Sequence, residues 1–232
     1  MDPRKLTRHR QPSLVERSGN GKPIAGQPAS GAPAVVTFVR SDGTSSRKEL
    51  FCSHSARAPE WVITAGHRVR YDNWDVTFRV GGLDRRHGKV VRRVENGTVF
   101  APGADVALVR VPRLDVGPIG VGTSGSVKVG RSVRSYGWGP PARRRRTRPR
   151  ASRTYDLLVG TGDFCAQRGT GLPAGGDPGG PATAFDKAGR EVFVGVLSAS
   201  GRTDVASFGD ATRLRLWIRR VIRSGSHQAQ EA

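Results

Sequence analysis

The sequence predicts a mostly β protein, and three observations carry that prediction. Short runs of branched and aromatic residues recur along the chain. Turn formers separate them, Gly 31 and Pro 15 among 232 residues. Only one stretch, near the C-terminus, changes from strand to helical spacing. A chain of this length accommodates one domain of two small barrels or sandwiches, or two compact domains, with a sizeable core either way.

Taken in order, residues 1–23 are rich in Arg, Ser, Gly and Pro without apolar periodicity, so they are expected to form a disordered basic arm. Order is expected from Ile24. Val35–Val39, Leu50–Cys52, Trp61–Thr64, Val76–Val80 and Val106–Val109 read as short strands, about five before Pro112. A second set follows at Ser126–Val129, Ser132–Trp138, Tyr155–Val159, Val192–Leu197 and Val205–Phe208. Thr212–Arg223 then places Leu214, Leu216, Trp217, Val221 and Ile222 among arginines at roughly helical spacing. That pattern predicts an amphipathic helix packed on the second β unit. Residues 224–232 read as a polar tail.

Lys and Arg number 39 against 19 Asp and Glu, a net charge of +20, and Arg greatly outnumbers Lys. This balance favours phosphate or carboxylate partners, and genomic base composition would produce it equally well. The run from Arg143 to Arg153 is expected to be an exposed loop, because its like charges repel one another unless they face solvent or an anion. No aromatic residues interleave it for base stacking, which favours a solvated hairpin insertion over a nucleic-acid site. No stretch approaches the ~20 apolar residues of a membrane span, so no membrane partner is expected. Residues 1–20 have no apolar segment of the secretory type. An intracellular protein, another export route and a start upstream of Met1 all remain open.

Three segments carry chemistry. Trp61–His67 is an apolar strand running into a small-residue turn that delivers a histidine. Gly103–Arg110 sets Asp105 at the mouth of a buried strand, and Gly175–Pro181 is a glycine-rich turn around Asp177 and Pro178. Each is weak alone, since a histidine after a strand and an aspartate at a strand end are commonly structural. The glycines around Asp177 lack the lysine and hydroxyl of a phosphate-cradling loop, and no metal-ligand cluster stands out. No cofactor and no metal are therefore expected.

In the order histidine, aspartate, glycine-rich turn, the segments resemble the trypsin-like (chymotrypsin-family) serine proteases, from about Ile24 to Arg223. Trp61–His67 is similar to the family's Trp-Val-Leu-Thr-Ala-Ala-His, Asp105–Val109 to Asp-Ile-Ala-Leu-Leu, and Gly176–Pro181 to Gly-Asp-Ser-Gly-Gly-Pro. Ile24–Ala29 resembles the mature start, Gly195–Ser198 the strand along the substrate backbone, and Gly209–Arg213 the lead-in to the closing helix. The resemblance implies an all-β fold of two antiparallel six-stranded barrels, about 24–118 and 119–211, with a closing helix over 212–223. It also implies a cleft between the barrels that takes a peptide or protein, a monomer, and secretion.

The same resemblance implies roles for single residues. His67 and Asp105 would be the base and its orienting carboxylate, and Pro178 stands where the nucleophilic serine belongs. Gly176 would supply one oxyanion-hole N–H; Pro178, with no N–H, cannot supply the other. Leu172 would lie at the base of the specificity pocket, so selectivity for Arg or Lys is not implied. Ser198 and Ser200 would line the substrate wall, and neither is expected to replace the lost nucleophile.

Ile24 would pair with Asp177 after activation, but Pro23 precedes Ile24, and a trypsin-type cut after Lys22 would be resisted and would leave the wrong terminus. Cys52 and Cys165 occupy family cysteine positions whose partners are missing, and two free thiols are expected. The leading expectation is a family member with activity absent or strongly impaired. An active serine endopeptidase in which residue 178 is a variant or an error, and a basic polyanion-binding module using Arg143–Arg153, remain alternatives.

Overall fold

In the computed structural model of the protein, the described residues are 27–28, 35–41, 49–70, 75–80, 89–114, 119–137, 153–159, 165–168, 173, 178–200 and 205–228. The expected arm over 1–23 and residues 143–152 of the expected loop lie outside them; Arg153, expected as the end of that loop, instead opens a strand.

The first half of the chain supplies β2 (Val35–Ser41), β3 (Glu49–Ala58), β4 (Trp61–Thr64), β5 (Asp75–Val80), β6 (Lys89–Arg92), β7 (Thr98–Phe100) and β8 (Ala107–Arg110). They form one antiparallel sheet in the order β6-β5-β2-β3-β4-β8-β7. Its two ends meet. β6 pairs with β5, and Val94, two residues past it, donates its N–H to the Arg110 carbonyl of β8 at 2.9 Å. A tight turn at Asn96, which adopts φ 54°, separates β6 from β7, so these two short strands act as one bent strand closing the ring.

The second half supplies β9 (Ser132–Gly137), β10 (Arg153–Val159), β11 (Cys165–Arg168), β12 (Pro181–Phe185), β13 (Glu191–Ser200) and β14 (Val205–Asp210). β9 pairs with both β12 and β10, which closes the ring β9-β10-β11-β14-β13-β12. With β6 and β7 counted as one strand, the first ring β2-β3-β4-β8-(β6/β7)-β5 has the same connectivity. The two-barrel architecture implied by the resemblance is therefore present, and closure leaves few unpaired strand edges.

Three apolar clusters explain why these runs fold this way. The first barrel is filled by Val62, Val76, Phe78, Val91, Ala107 and Val109 among others, the second by Val133, Ala166, Ala182, Val194, Leu197 and Phe208. A third cluster joins the barrels and includes Trp61, Ile63, Val106, Leu108, Phe193, Val196, Ile218 and Val221. Successive strand residues point to opposite faces. In β4, Val62 faces the barrel interior while Trp61 and Ile63 face the junction, so the strand is buried on both sides and reads as an unbroken apolar run.

Several expectations are corrected. Ser126–Val129 is not a strand; Ser124–Val127 is a 3-10 turn in which Ser126 N–H bonds to the Thr123 carbonyl at 2.8 Å. Gly125 within the segment and a single pair of valines leave too little strand pattern to hold it extended. Strands β6, β7, β11 and β12 gave no clear apolar run. β12, for example, is Pro-Ala-Thr-Ala-Phe, whose small residues fill a narrow barrel interior. The closing helix, α1, spans Arg215–Gln228 in place of Thr212–Arg223, so part of the supposed polar tail is helical.

The termini also cross between barrels. β1 (Gln27–Pro28), expected in the first barrel, pairs with β10 of the second. Helix α1, expected on the second β unit alone, packs at the junction. Gly225 lies so close to the Trp61 ring of β4 that a Cβ there would overlap it. Each barrel is thus held by a segment from the far end of the chain.

A polar network lies on the second barrel. Tyr136, buried on β9, donates to Glu191 Oε1 at 2.7 Å, and Thr183 Oγ1 donates to the same oxygen at 2.6 Å. Burial and the neighbouring Glu191 carboxylate push the tyrosine hydroxyl up to about 12 from its ordinary 10.0. A raised folded-state pKa means stability that is intact below pH 10.0 and lost as pH rises through about 12. Wild type is therefore expected to lose more stability than Tyr136→Phe over that interval, read by urea unfolding at stepped pH. Parallel curves for the two would remove Tyr136 as the cause.

Candidate active site at the barrel junction

His67 arrives from β4. After Thr64 the chain turns through a short 3-10 segment, Gly66–Arg68, closed by Arg68 N–H to the Ala65 carbonyl at 3.0 Å. The segment follows a strand buried on both faces, so the histidine is anchored by packing while its own side chain is 40% exposed. Asp105 sits just ahead of β8. Val106 N–H reaches back to the Ala104 carbonyl at 2.9 Å, a three-residue turn centred on Asp105.

These two residues meet. His67 Nδ1 lies 2.7 Å from Asp105 Oδ2, and the His67 backbone N–H donates to Asp105 Oδ1 at 2.8 Å. The double contact fixes both the ring and the carboxylate, and it leaves Nε2 as the ring nitrogen free to act outward. A third donor, Ser198 Oγ of β13, reaches Asp105 Oδ2 at 2.5 Å. Burial raises the carboxyl pKa, but the hydrogen bonds from His67 and Ser198 outweigh it and hold the group at about 2, against an ordinary 3.8.

The assignment of Ser198 to the substrate wall missed this contact. Its hydroxyl is taken up by Asp105 and not by the imidazole, so His67 has no route to its proton and Ser198 is not placed as a substitute nucleophile. A signal existed in the sequence: a serine directly after Val194–Leu197, at the end of a buried run, needs a polar partner. Behind the carboxylate lies a cavity of about 390 Å³, bordered by Pro102, Ala104, Cys165, Ser198, Phe208 and Arg213. Cys165 is a free thiol.

The glycine-rich turn approaches the same place through β13. Pro178 is buried, and Gly179 N–H donates to the Leu197 carbonyl at 2.6 Å while Leu197 N–H donates to the Gly180 carbonyl at 2.9 Å. Leu197 directly precedes Ser198, so the turn is pinned beside the residue that touches Asp105. Gly179 adopts φ 94°, a conformation strained for any residue with a Cβ, which accounts for glycine at that position. Leu172, Gly176, Asp177 and Ile24 lie outside the described residues, as does the side chain of Ser200. Among the described residues no group of three or more His, Cys, Asp or Glu is placed to hold a metal ion, and no helix is long and apolar enough to cross a membrane.

The acid limb of stability should report the Asp105 contacts. A lowered folded-state pKa gives stability that is present above pH 3.8 and lost as pH falls toward about 2. The difference corresponds to about 2 kcal/mol. Asp105→Asn is expected to remove that share of the acid-induced loss, measured by denaturant unfolding between those pH values. An unchanged pH profile in the variant would show that these hydrogen bonds contribute nothing net.

Comparison with known proteins agrees with this architecture. The family described as Trypsin matches residues 24–218. No curated protein matches the chain. The match spans both barrels, the His67–Asp105 pair and the start of the closing helix, and the chain therefore belongs to the trypsin family of serine peptidases.

Proposed function

We propose that this chain is a trypsin-family protein that holds a peptide or protein segment in the cleft between its barrels without hydrolysing it. Pro178 is the observation that carries this reading. At the position corresponding to the family nucleophile, proline offers neither a hydroxyl to attack a scissile carbonyl nor an N–H for the oxyanion hole. Loss of one oxyanion donor costs about 10²–10³ in turnover, and loss of the nucleophile removes the acyl-enzyme route altogether.

In this reading His67 and Asp105 keep the base and its orienting carboxylate, Ser198 holds the aspartate, and Gly176 would be the remaining oxyanion donor. Leu172 would give the specificity pocket an apolar base, and Ser200 would line the substrate backbone. Asp177 would need a partner other than a new Ile24 terminus, because with Pro23 ahead of Ile24 a cut after Lys22 would be resisted and would leave the wrong terminus. The intact His67–Asp105 contact, 2.7 Å, favours one second reading, an active endopeptidase in which residue 178 is a variant. A fluorophosphonate probe tests the first reading. The unmodified chain is expected to remain unlabelled; clear active-site labelling would require a nucleophile other than residue 178 and would overturn the first reading.

A further inference from the structure

The outward face of α1 is a basic surface that the peptidase fold does not use. The helix Arg215–Gln228 reads Arg-Leu-Trp-Ile-Arg-Arg-Val-Ile-Arg-Ser-Gly-Ser-His-Gln and contains no acidic residue. At 3.6 residues per turn, Ile218, Val221 and Gly225 fall on the inner arc, and all three are buried. Leu216, Arg219, Arg220 and Arg223 fall on the opposite arc, and all four are exposed, Leu216 by 76%. Among the described residues no ion pair joins Arg219, Arg220 or Arg223 to a carboxylate, whereas Arg213, just before the helix, is paired with Asp210.

We propose that this face of α1 docks the sugar-phosphate backbone of a nucleic acid. The charges match. Three guanidinium groups project from one side of a rigid rod, and guanidinium binds phosphate oxygens in a bidentate fork. Arg219 and Arg223 are one turn apart, a rise of about 6 Å. Each strand of a duplex carries one phosphate per about 3.4 Å of helix axis, so both guanidinium groups can reach phosphates of one strand. The net charge of +20 on the whole chain would draw such a polyanion in from a distance.

An anionic lipid surface fits less well. A helix lying in a bilayer interface buries a broad apolar face. The apolar face of α1 is already committed to the barrel junction, and Leu216 is its one large exposed hydrophobic among the described residues. The surface does not involve His67, Asp105 or Pro178, so it stands whether or not the chain hydrolyses peptides.

The test is fluorescence anisotropy of a short labelled DNA duplex titrated with the full-length chain at about 50 to 200 mM salt. Wild type is expected to bind and to weaken steeply with salt. R219E/R220E/R223E should bind at least about tenfold more weakly, and its log–log salt slope should be shallower by about 2 to 3, near 0.9 per lost phosphate contact. The side chains are exposed, so an unchanged melting curve is expected. R219Q/R220Q/R223Q serves if charge reversal disturbs folding. L216A should bind DNA as wild type does.

Absence of DNA binding by wild type overturns the proposal. So does wild-type-like binding by the triple variant with loss in R143S/R144S/R145S/R146S, which would assign the site to that loop. Binding to phosphatidylserine vesicles that depends on Leu216, without binding to DNA, overturns it in favour of a membrane.

Discussion

Pro178→Ser is expected to convert a chain that a fluorophosphonate probe leaves unmodified into one that it labels, whereas Pro178→Ala leaves it unlabelled. Serine restores both the hydroxyl and the backbone N–H, and alanine restores the N–H alone, so the pair separates the nucleophile from the oxyanion donor. The His67–Asp105 contact would serve such a hydroxyl. Asp105 accepts from His67 Nδ1 and from Ser198, which holds the imidazole with Nε2 outward. The Gly179–Leu197 hydrogen bond pins the turn to β13.

The labelling rate of Pro178→Ser should exceed background by at least about 100-fold, the scale of a single oxyanion donor, and adding His67→Ala should abolish the gain. Releasing the proline ring also frees the unfolded chain, so the variant should be less stable by about 0.4–1 kcal/mol. If Pro178→Ser stays unlabelled although its melting curve is cooperative, residue 178 is not the sole lesion, and the departures at Leu172 and Ile24 gain weight. Labelling of Pro178→Ala would show that another residue is the nucleophile.

Phe193→Ala is expected to cause the largest loss of stability of any single substitution considered. Phe193 is fully buried in the cluster that joins the barrels, among Trp61, Ile63 and Leu108 from the first and Val196 and Ile218 from the second barrel and α1. Its backbone also clamps the crossover between barrels. Phe193 N–H donates to the Gly120 carbonyl and its own carbonyl accepts from Gly122 N–H, each at 2.8 Å. Truncation keeps those bonds but empties a ring-sized space that strands on both sides cannot close.

The cost should be about 3–5 kcal/mol, a large fraction of the 5–15 kcal/mol typical of a whole domain. Denaturant unfolding and a melting point lowered on the order of 10 °C would register it. Leu216→Ala, which removes an exposed side chain, should stay within about 0.5 kcal/mol of wild type. A loss below about 1 kcal/mol in Phe193→Ala would mean that the barrels are not held by this junction.

Which parts were legible in the sequence follows from how each residue meets its environment. Trp61–Thr64 and Ala107–Val109 are buried on both faces, so they appear as continuous apolar runs and were read as strands. β6 exposes Lys89, Val90 and Arg92, and β12 uses small residues, so neither run stands out. His67 and Asp105 were legible because each sits at the end of such an apolar strand and the two follow in a family order. The Ser198 contact was not, because a hydroxyl pairs with whatever the fold brings near it, here a carboxylate far away in sequence.

The sequence by itself determined the mostly β class, the terminal helix, the two residues that pair in the site and the proline in the glycine-rich turn. Local periodicity and chemically unusual letters are properties of short segments, and short segments can be read in isolation. Only the tertiary structure decided that both sheets close into rings, that β1 crosses to the second barrel while α1 packs against Trp61, and that Asp105 holds three donors at once. Those are contacts between residues distant along the chain. They exist only once burial of the shared junction, around Phe193 and Ile63, brings the two halves together.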